Sequence, residues 1–186
     1  MSQQLIPEET VIEEVKKAVA ETLNIDVKDV DADSSLINDL GAESLDFLDI
    51  NYRLEQAFGI KMARHFIIEH IEELFGEGSA VNEDNELTDK AVRLLAIRFG
   101  EENLGELEAG SDMDEVPAMI TVRSMAAGVM DILDSLPDKC GCGASQWETE
   151  GTKVKCGACG APAPYKNGDE LIKEWLEKTQ EREKIF

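Results

Sequence analysis

At 186 residues the chain has room for one ordinary domain and a small companion. It carries a formal net charge of −22, a surface that repels nucleic-acid phosphates and attracts basic protein patches. No apolar run approaches the ~18 residues that span a bilayer, and Met1–Thr10 lacks the basic start and apolar centre of a signal peptide. These features exclude a nucleic-acid binder and a membrane span, and they place the chain in the cytoplasm with protein partners.

The first predicted helix covers residues 8–23, where Val11, Ile12, Val15, Ala18, Val19 and Leu23 form an apolar stripe. Asn24 to Asp39 follows as a long Asp- and Ser-rich connection, and its apolar residues Ile25, Val27, Val30, Leu36 and Ile37 are expected to pin it across a bundle. The second helix runs from about Ser44 to Phe58 and stops at Gly59, a C-terminal cap. Its start is the most informative stretch of the chain, Asp39-Leu40-Gly41-Ala42-Glu43-Ser44-Leu45-Asp46. A glycine-containing turn delivers one serine to the first turn of a helix, where free N–H groups and the positive dipole end favour added negative charge. A hydroxyl placed there can accept a phosphodiester. An ordinary N-cap serine fits the same position, but a cap needs no acidic flank, whereas Glu43, Asp46 and Asp49 crowd charge around this one.

A third helical pattern covers Ala63 to Phe75 and ends at Gly76, and Leu87 to Phe99 forms an amphipathic helix capped at Thr88. Glu101 to Glu115 reads as an acidic, Gly-rich loop with little to bury. Residues 119–133 form a further helix, and Asp169 is expected to cap a last one carrying Leu171, Ile172, Trp175 and Leu176. Residues 1–138 hold 10 of the 18 basic and 32 of the 40 acidic side chains, whereas residues 139–186 are neutral. That shift predicts two domains, 1–138 and 139–186.

The serine motif, set in this order of helices, resembles the phosphopantetheine attachment site of acyl carrier proteins. The resemblance covers residues 8–75 and 119–134, with an insertion at about 76–118. It implies a mainly α fold, a four-helix bundle with an inserted helix, and 4'-phosphopantetheine carried on Ser44. It also implies a partner face of Glu43, Leu45, Asp46, Leu48, Asp49, Tyr52 and Glu55. The expected partners are a phosphopantetheinyl transferase and acyl-transferring or condensing enzymes with basic docking patches. Two departures stand out. Glu43 occupies the place before the serine where Asp is usual, and Gln56 replaces a common second carboxylate. The insertion is read either as a helix that patches the bundle or as a pocket or docking surface.

All four cysteines lie between positions 140 and 159, a clustering that suggests a local metal site rather than a disulfide framework. Cys140-Gly-Cys142-Gly and Cys156-Gly-Ala-Cys159-Gly are two glycine-rich turns, and 13 residues separate Cys142 from Cys156. Between them Gln146–Thr149 and Lys153–Lys155 alternate like two short strands, so a hairpin can bring four thiolates to one tetrahedral ion. This resembles a zinc ribbon, with a first turn one residue shorter than usual. Zinc is favoured, iron fits the same four sulfurs, and a redox dithiol is the weaker alternative. Trp175 is expected to pack on the ribbon.

The only histidines, His65 and His70, are expected at solvated helix positions, and neither a nucleophile elbow nor a phosphate loop is present. The chain is therefore read as a carrier of acyl thioesters for fatty acid, polyketide or related lipid synthesis, and not as an enzyme. The rivals are an unmodified carrier-like adaptor and a peptidyl carrier.

Overall fold

The structure is a computed structural model that describes residues 3–186. It is mainly α with one small β-hairpin, and it divides into two compact units. One holds the residues up to Met62 together with Thr121–Gly168, and the other holds Ala63–Ile120 and Asp169–Phe186.

In the first unit α1 (Glu8–Leu23) buries Val11, Val15, Ala18 and Val19 of the expected stripe, while Ile12 and Leu23 stay half-buried. It stops where Asn24 turns left-handed (φ 54°) and its N–H donates to the Ala20 carbonyl. α2 (Ser44–Phe58) buries Phe47, Ile50, Leu54 and Phe58, and α5 (Val122–Leu133) buries Met125, Ala126, Val129, Ile132 and Leu133. α1 packs against both. Each fully buried Leu, Ile or Phe among them stabilises the unit by roughly 1.5–3 kcal/mol.

The connection before α2 is pinned as expected, although not by every apolar residue in it. Val30 and Leu36 are buried, whereas Ile25 and Val27 remain partly exposed. Backbone bonds hold it at the start of α5: the Val122 and Arg123 amides donate to the Ser34 and Ala32 carbonyls. The Arg123 guanidinium pairs with Asp33 at 2.7 Å. Thr121 caps α5, its hydroxyl accepting from the Ser124 amide while the Ser124 hydroxyl accepts from its own.

The hairpin belongs to this unit. β1 (Trp147–Glu150) pairs antiparallel with β2 (Lys153–Cys156), Trp147 opposite Cys156 and Glu150 opposite Lys153. Gly151 and Thr152 make the turn, with Gly151 at φ 65°, where a side chain would be strained.

The second unit contains α3 (Ile67–Phe75), α4 (Asp89–Phe99), a 3-10 helix over Met113–Met119 and, from Asp169 on, α6 (Gly168–Glu183). Its core joins Ile68 and Ile71 of α3, Leu94 and Leu95 of α4, Leu104, Val116 and Leu176 of α6. Thr88 caps α4 as expected, accepting from the Ala91 amide at 3.2 Å.

Several expectations are corrected here. The acidic stretch Glu101–Glu115 does bury residues: Leu104 enters the core, Leu107 and Met113 pack against it, and the Leu87 amide donates to the Ser111 carbonyl. Trp175, expected on the ribbon, packs on this core with the Arg98 guanidinium 5.1 Å from its ring. Asp169 does not cap α6; it accepts from the Arg64 and His65 amides before α3. His70 is buried, not solvated, with Nε2 2.8 Å from Asp169. α3, expected in the bundle, groups with the insertion and α6, while the ribbon groups with α1, α2 and α5. The boundary between units therefore differs from the charge boundary at 138. Charge records what a surface presents, whereas the units follow which apolar side chains are buried together.

Candidate functional site: an exposed serine and a four-cysteine cluster

Ser44 is the first residue of α2, and it is exposed. Gly41 makes the preceding turn at φ 73°, its amide donating to the Ile37 carbonyl, and Ala42 is buried as the anchor behind it. The Asp46 carboxylate reaches back to accept from the Glu43 amide at 2.7 Å, fixing the start of the helix. Asp46 thus adds charge beside Ser44 and also satisfies one of the free donors that a helix start leaves.

Leu45, Leu48 and Tyr52 follow on one side of α2 and are 75%, 56% and 58% exposed. Three large apolar side chains held in solvent at helical spacing have no role in the core. Asp49 is half-buried between the Thr22 hydroxyl, which donates at 2.8 Å, and the Arg53 Nε at 2.9 Å. Arg53 first, then Thr22, hold its carboxyl below the usual carboxylate range. Arg53 also pairs with Glu21 at 2.6 Å, so this part of the acidic surface is partly neutralised.

Glu55 does not belong with that group. It is 5% exposed, and its carboxylate accepts from the Met62 amide at 3.0 Å with Lys61 3.8 Å away. A carboxylate committed to a backbone turn is unavailable to a partner, and the expected docking role of Glu55 is withdrawn. The Met62 amide that uses it lies seven residues on, a pairing that helical periodicity does not reveal.

The cysteines converge. Their four sulfurs all lie within 4.8 Å of one another, with Cys140–Cys159 and Cys142–Cys156 each at 3.7 Å and no disulfide between them. With metal–sulfur bonds of ~2.3 Å, a tetrahedral zinc places its sulfurs about 3.8 Å apart. The donor set and its spacing therefore fit one tetrahedral ion, and the short first turn does not prevent it. Each turn is closed by backbone bonds: Gly143 to Cys140 at 2.8 Å and Gly160 to Cys156 at 2.9 Å, both glycines at positive φ. The amides of Cys159 and Ala158 favour the Cys156 thiolate and bring its pKa down to about 7. At Cys159 the Ala161 amide acts in the same direction, but the thiols of Cys142, Cys156 and Cys140 outweigh it and push the group up to about 11. Such mutual repulsion is what a bound cation relieves.

Comparison with known proteins bears on the first of these sites. The family described as "Phosphopantetheine attachment site" matches residues 13–74, a span that contains Ser44. An acyl carrier protein of Clostridium acetobutylicum is 39% identical over 72 residues, which are 39% of this chain and 88% of that protein. The chain belongs to the acyl carrier protein family. Acyl carrier protein AcpXL of Mesorhizobium japonicum is 43% identical over 53 residues, 28% of this chain and 57% of that protein, so the chain spans little more than half of that relative. No solved structure matches. The family match ends at residue 74, so the cysteine turns lie outside it.

Sequence reasoning brought Ser44, its acidic flank and the four cysteines to notice. It missed the link from α1 to α2, where Thr22 donates to Asp49 and Glu21 pairs with Arg53 across the two helices, contacts that leave no periodic signal. It also missed Tyr165, whose hydroxyl is buried with no partner among the described residues. Burial pushes that phenol up to about 12, so it stays protonated.

Proposed function

We propose that this chain carries acyl groups as thioesters on a 4'-phosphopantetheine arm attached to the Ser44 hydroxyl, for fatty acid or specialised lipid synthesis. The observation that carries the reading is an exposed serine at the first position of a helix whose next turns present Leu45, Leu48 and Tyr52 to solvent. Membership of the acyl carrier family and the match over residues 13–74 support it. The arm supplies a thiol, and thioester formation activates the acyl group for transfer. The protein's own residues position and are recognised. Gly41 and Ala42 hold the serine out of the helix body. Glu43, Asp46 and Asp49 present charge to basic patches on a transferase and on client enzymes, and the three apolar side chains fill the contact. Catalysis belongs to those partners.

The cysteine cluster is read as a structural zinc site, on its four-sulfur spacing and on the few residues that the hairpin itself buries. Free thiols held for a metal suit a reducing compartment, so the cytoplasm is the proposed location. Among the described residues no helix is long and apolar enough to cross a membrane.

The test is the intact mass of the denatured protein after incubation with coenzyme A and a broad-specificity phosphopantetheinyl transferase. One phosphopantetheine is expected on the wild type and none on Ser44→Ala. No gain with several transferases would favour an unmodified adaptor. A gain that persists in Ser44→Ala would move the attachment elsewhere.

A further inference from the structure

We propose that the four-cysteine ribbon is a metal-dependent clasp on the C-terminal end of α2, so that metal occupancy sets how firmly the Ser44-bearing helix is held. This rests on the reading of the cysteines as a metal site and says what that site does for the carrier.

A helix ends with four carbonyls that have no partner inside it. In α2 these belong to Glu55, Gln56, Ala57 and Phe58. The Gly59 and Ile60 amides both donate to the Glu55 carbonyl. The Ala57 carbonyl is served from outside the helix: the Thr152 hydroxyl, at the tip of the ribbon hairpin, donates to it. Next to Thr152, the Lys153 side chain lies beside Gly59, where an added Cβ would be in ordinary van der Waals contact with its Cγ at 3.8 Å. α2 has no basic residue in its last turn, where a cation favours the negative dipole end. The aliphatic stem of Lys153 lies against that end from the ribbon.

The chain on the far side of the cysteines closes the same junction. The Gly168 amide donates to the Lys61 carbonyl at 2.9 Å, just beyond the end of α2. The Lys166 amide donates to the Ser135 hydroxyl at 3.0 Å, and the Trp147 indole donates to the Pro137 carbonyl at 2.9 Å. Between hairpin and helix lies a cavity of about 330 Å³ lined by Glu55, Gly59, Lys61, Lys153 and Tyr165, among others. The Tyr165 hydroxyl at this seam is buried with no partner among the described residues, so a polar group sits in the contact and the seam is not a purely apolar core. An apolar core would hold the ribbon without help; this seam depends on the hairpin keeping its shape.

The hairpin has little means of doing so alone. Each strand has four residues, β1 is mostly exposed, and only Val154 and Cys156 of β2 are buried. Isolated two-stranded hairpins are marginal in water. A metal on the four sulfurs fixes Cys156, and three residues before it in the same strand is Lys153, adjacent to Thr152. Metal occupancy at one end of β2 therefore reaches the last turn of α2 at the other, and Ser44 begins that same helix.

The experiment is hydrogen exchange on the reduced full chain, stripped with a chelator and then reloaded with Zn²⁺, with bound zinc measured alongside. Reloading is expected to take up one zinc per chain and to slow exchange about fivefold or more in the peptide spanning residues 54–60, the scale of one net hydrogen bond. Thr152→Val, loaded with zinc, is expected to lose most of that slowing while keeping its metal. Zinc bound with no change in residues 54–60 would overturn the clasp and leave the metal site standing. No zinc bound by the reduced protein would overturn both. Full protection in zinc-loaded Thr152→Val would remove Thr152 from the clasp and refute its stated route.

Discussion

Two residues on α2, Leu48 and Glu55, differ in exposure, and that difference separates the proposed docking role of the one from the structural role of the other. Leu48 is 56% exposed and Glu55 is 5% exposed, although both were expected on the partner face. Replacing Leu48 with Ala removes nothing from the core and is expected to change stability by less than about 0.5 kcal/mol. At a contact centre the same change costs on the order of 1 kcal/mol or more of binding, which is about fivefold or more in affinity for a transferase. Glu55→Ala should do the reverse. It strips the acceptor from the Met62 amide, and leaving a buried donor unpaired costs about 1–3 kcal/mol. Thermal unfolding and the transferase KM, measured on both variants, check the pair. A Glu55→Ala variant with unchanged melting and a raised KM would return that residue to the docking face.

At the scale of elements, Asp169 is the junction of the second unit, where the start of α6 meets the residues before α3 and the buried His70. Burial works against its charge. The Arg64 amide, the His70 ring and the His65 amide outweigh that and hold the carboxyl below the usual carboxylate range. A depressed folded pKa stabilises above the unfolded value of about 3.9 and loses that contribution as pH falls through the folded value. The second unit is therefore expected to weaken in acid below about pH 4, and Asp169→Asn to show a smaller acid dependence from a less stable starting point. Unfolding curves at several pH values between about 6 and 3 test this; an unaltered acid slope in the variant would show that other carboxylates govern it.

The same junction explains what was legible beforehand. α1, α2 and α4 were readable because their stripes and caps, such as Thr88 and Gly59, are local signals. The cysteine cluster was readable because its turns are short and lie close in sequence. Asp169 was not, since its partners Arg64, His65 and His70 lie 105, 104 and 99 residues away. Trp175 was misplaced for the same reason: the chain neighbours of α6 are the ribbon, but its core partners are α3 and α4. Periodicity says that a face is apolar and is silent on which apolar face it meets.

For the whole molecule, a net charge of −22 acts on stability and on encounter in opposite senses. Like charges repel in the folded state, so screening should raise stability, while the same screening weakens the pull on a basic partner. The Debye length falls from about 10 Å at 0.1 M salt to about 3 Å at 1 M. Added salt is therefore expected to raise the melting temperature of the carrier and to lower its association rate with a basic transferase in one titration. Not every acidic residue near Ser44 should contribute equally to the rate. Asp49 is already paired with Arg53, and the field it adds at a distance is partly cancelled. Glu43 is exposed beside Ser44, with no cation paired to it among the described ion pairs. Glu43→Gln should therefore lower the association rate at low salt more than Asp49→Asn, and the difference should shrink as salt rises. Stopped-flow association of each variant across the salt series measures it. Equal losses for the two at low salt would mean that the partner reads total charge, with no account of which carboxylates are paired.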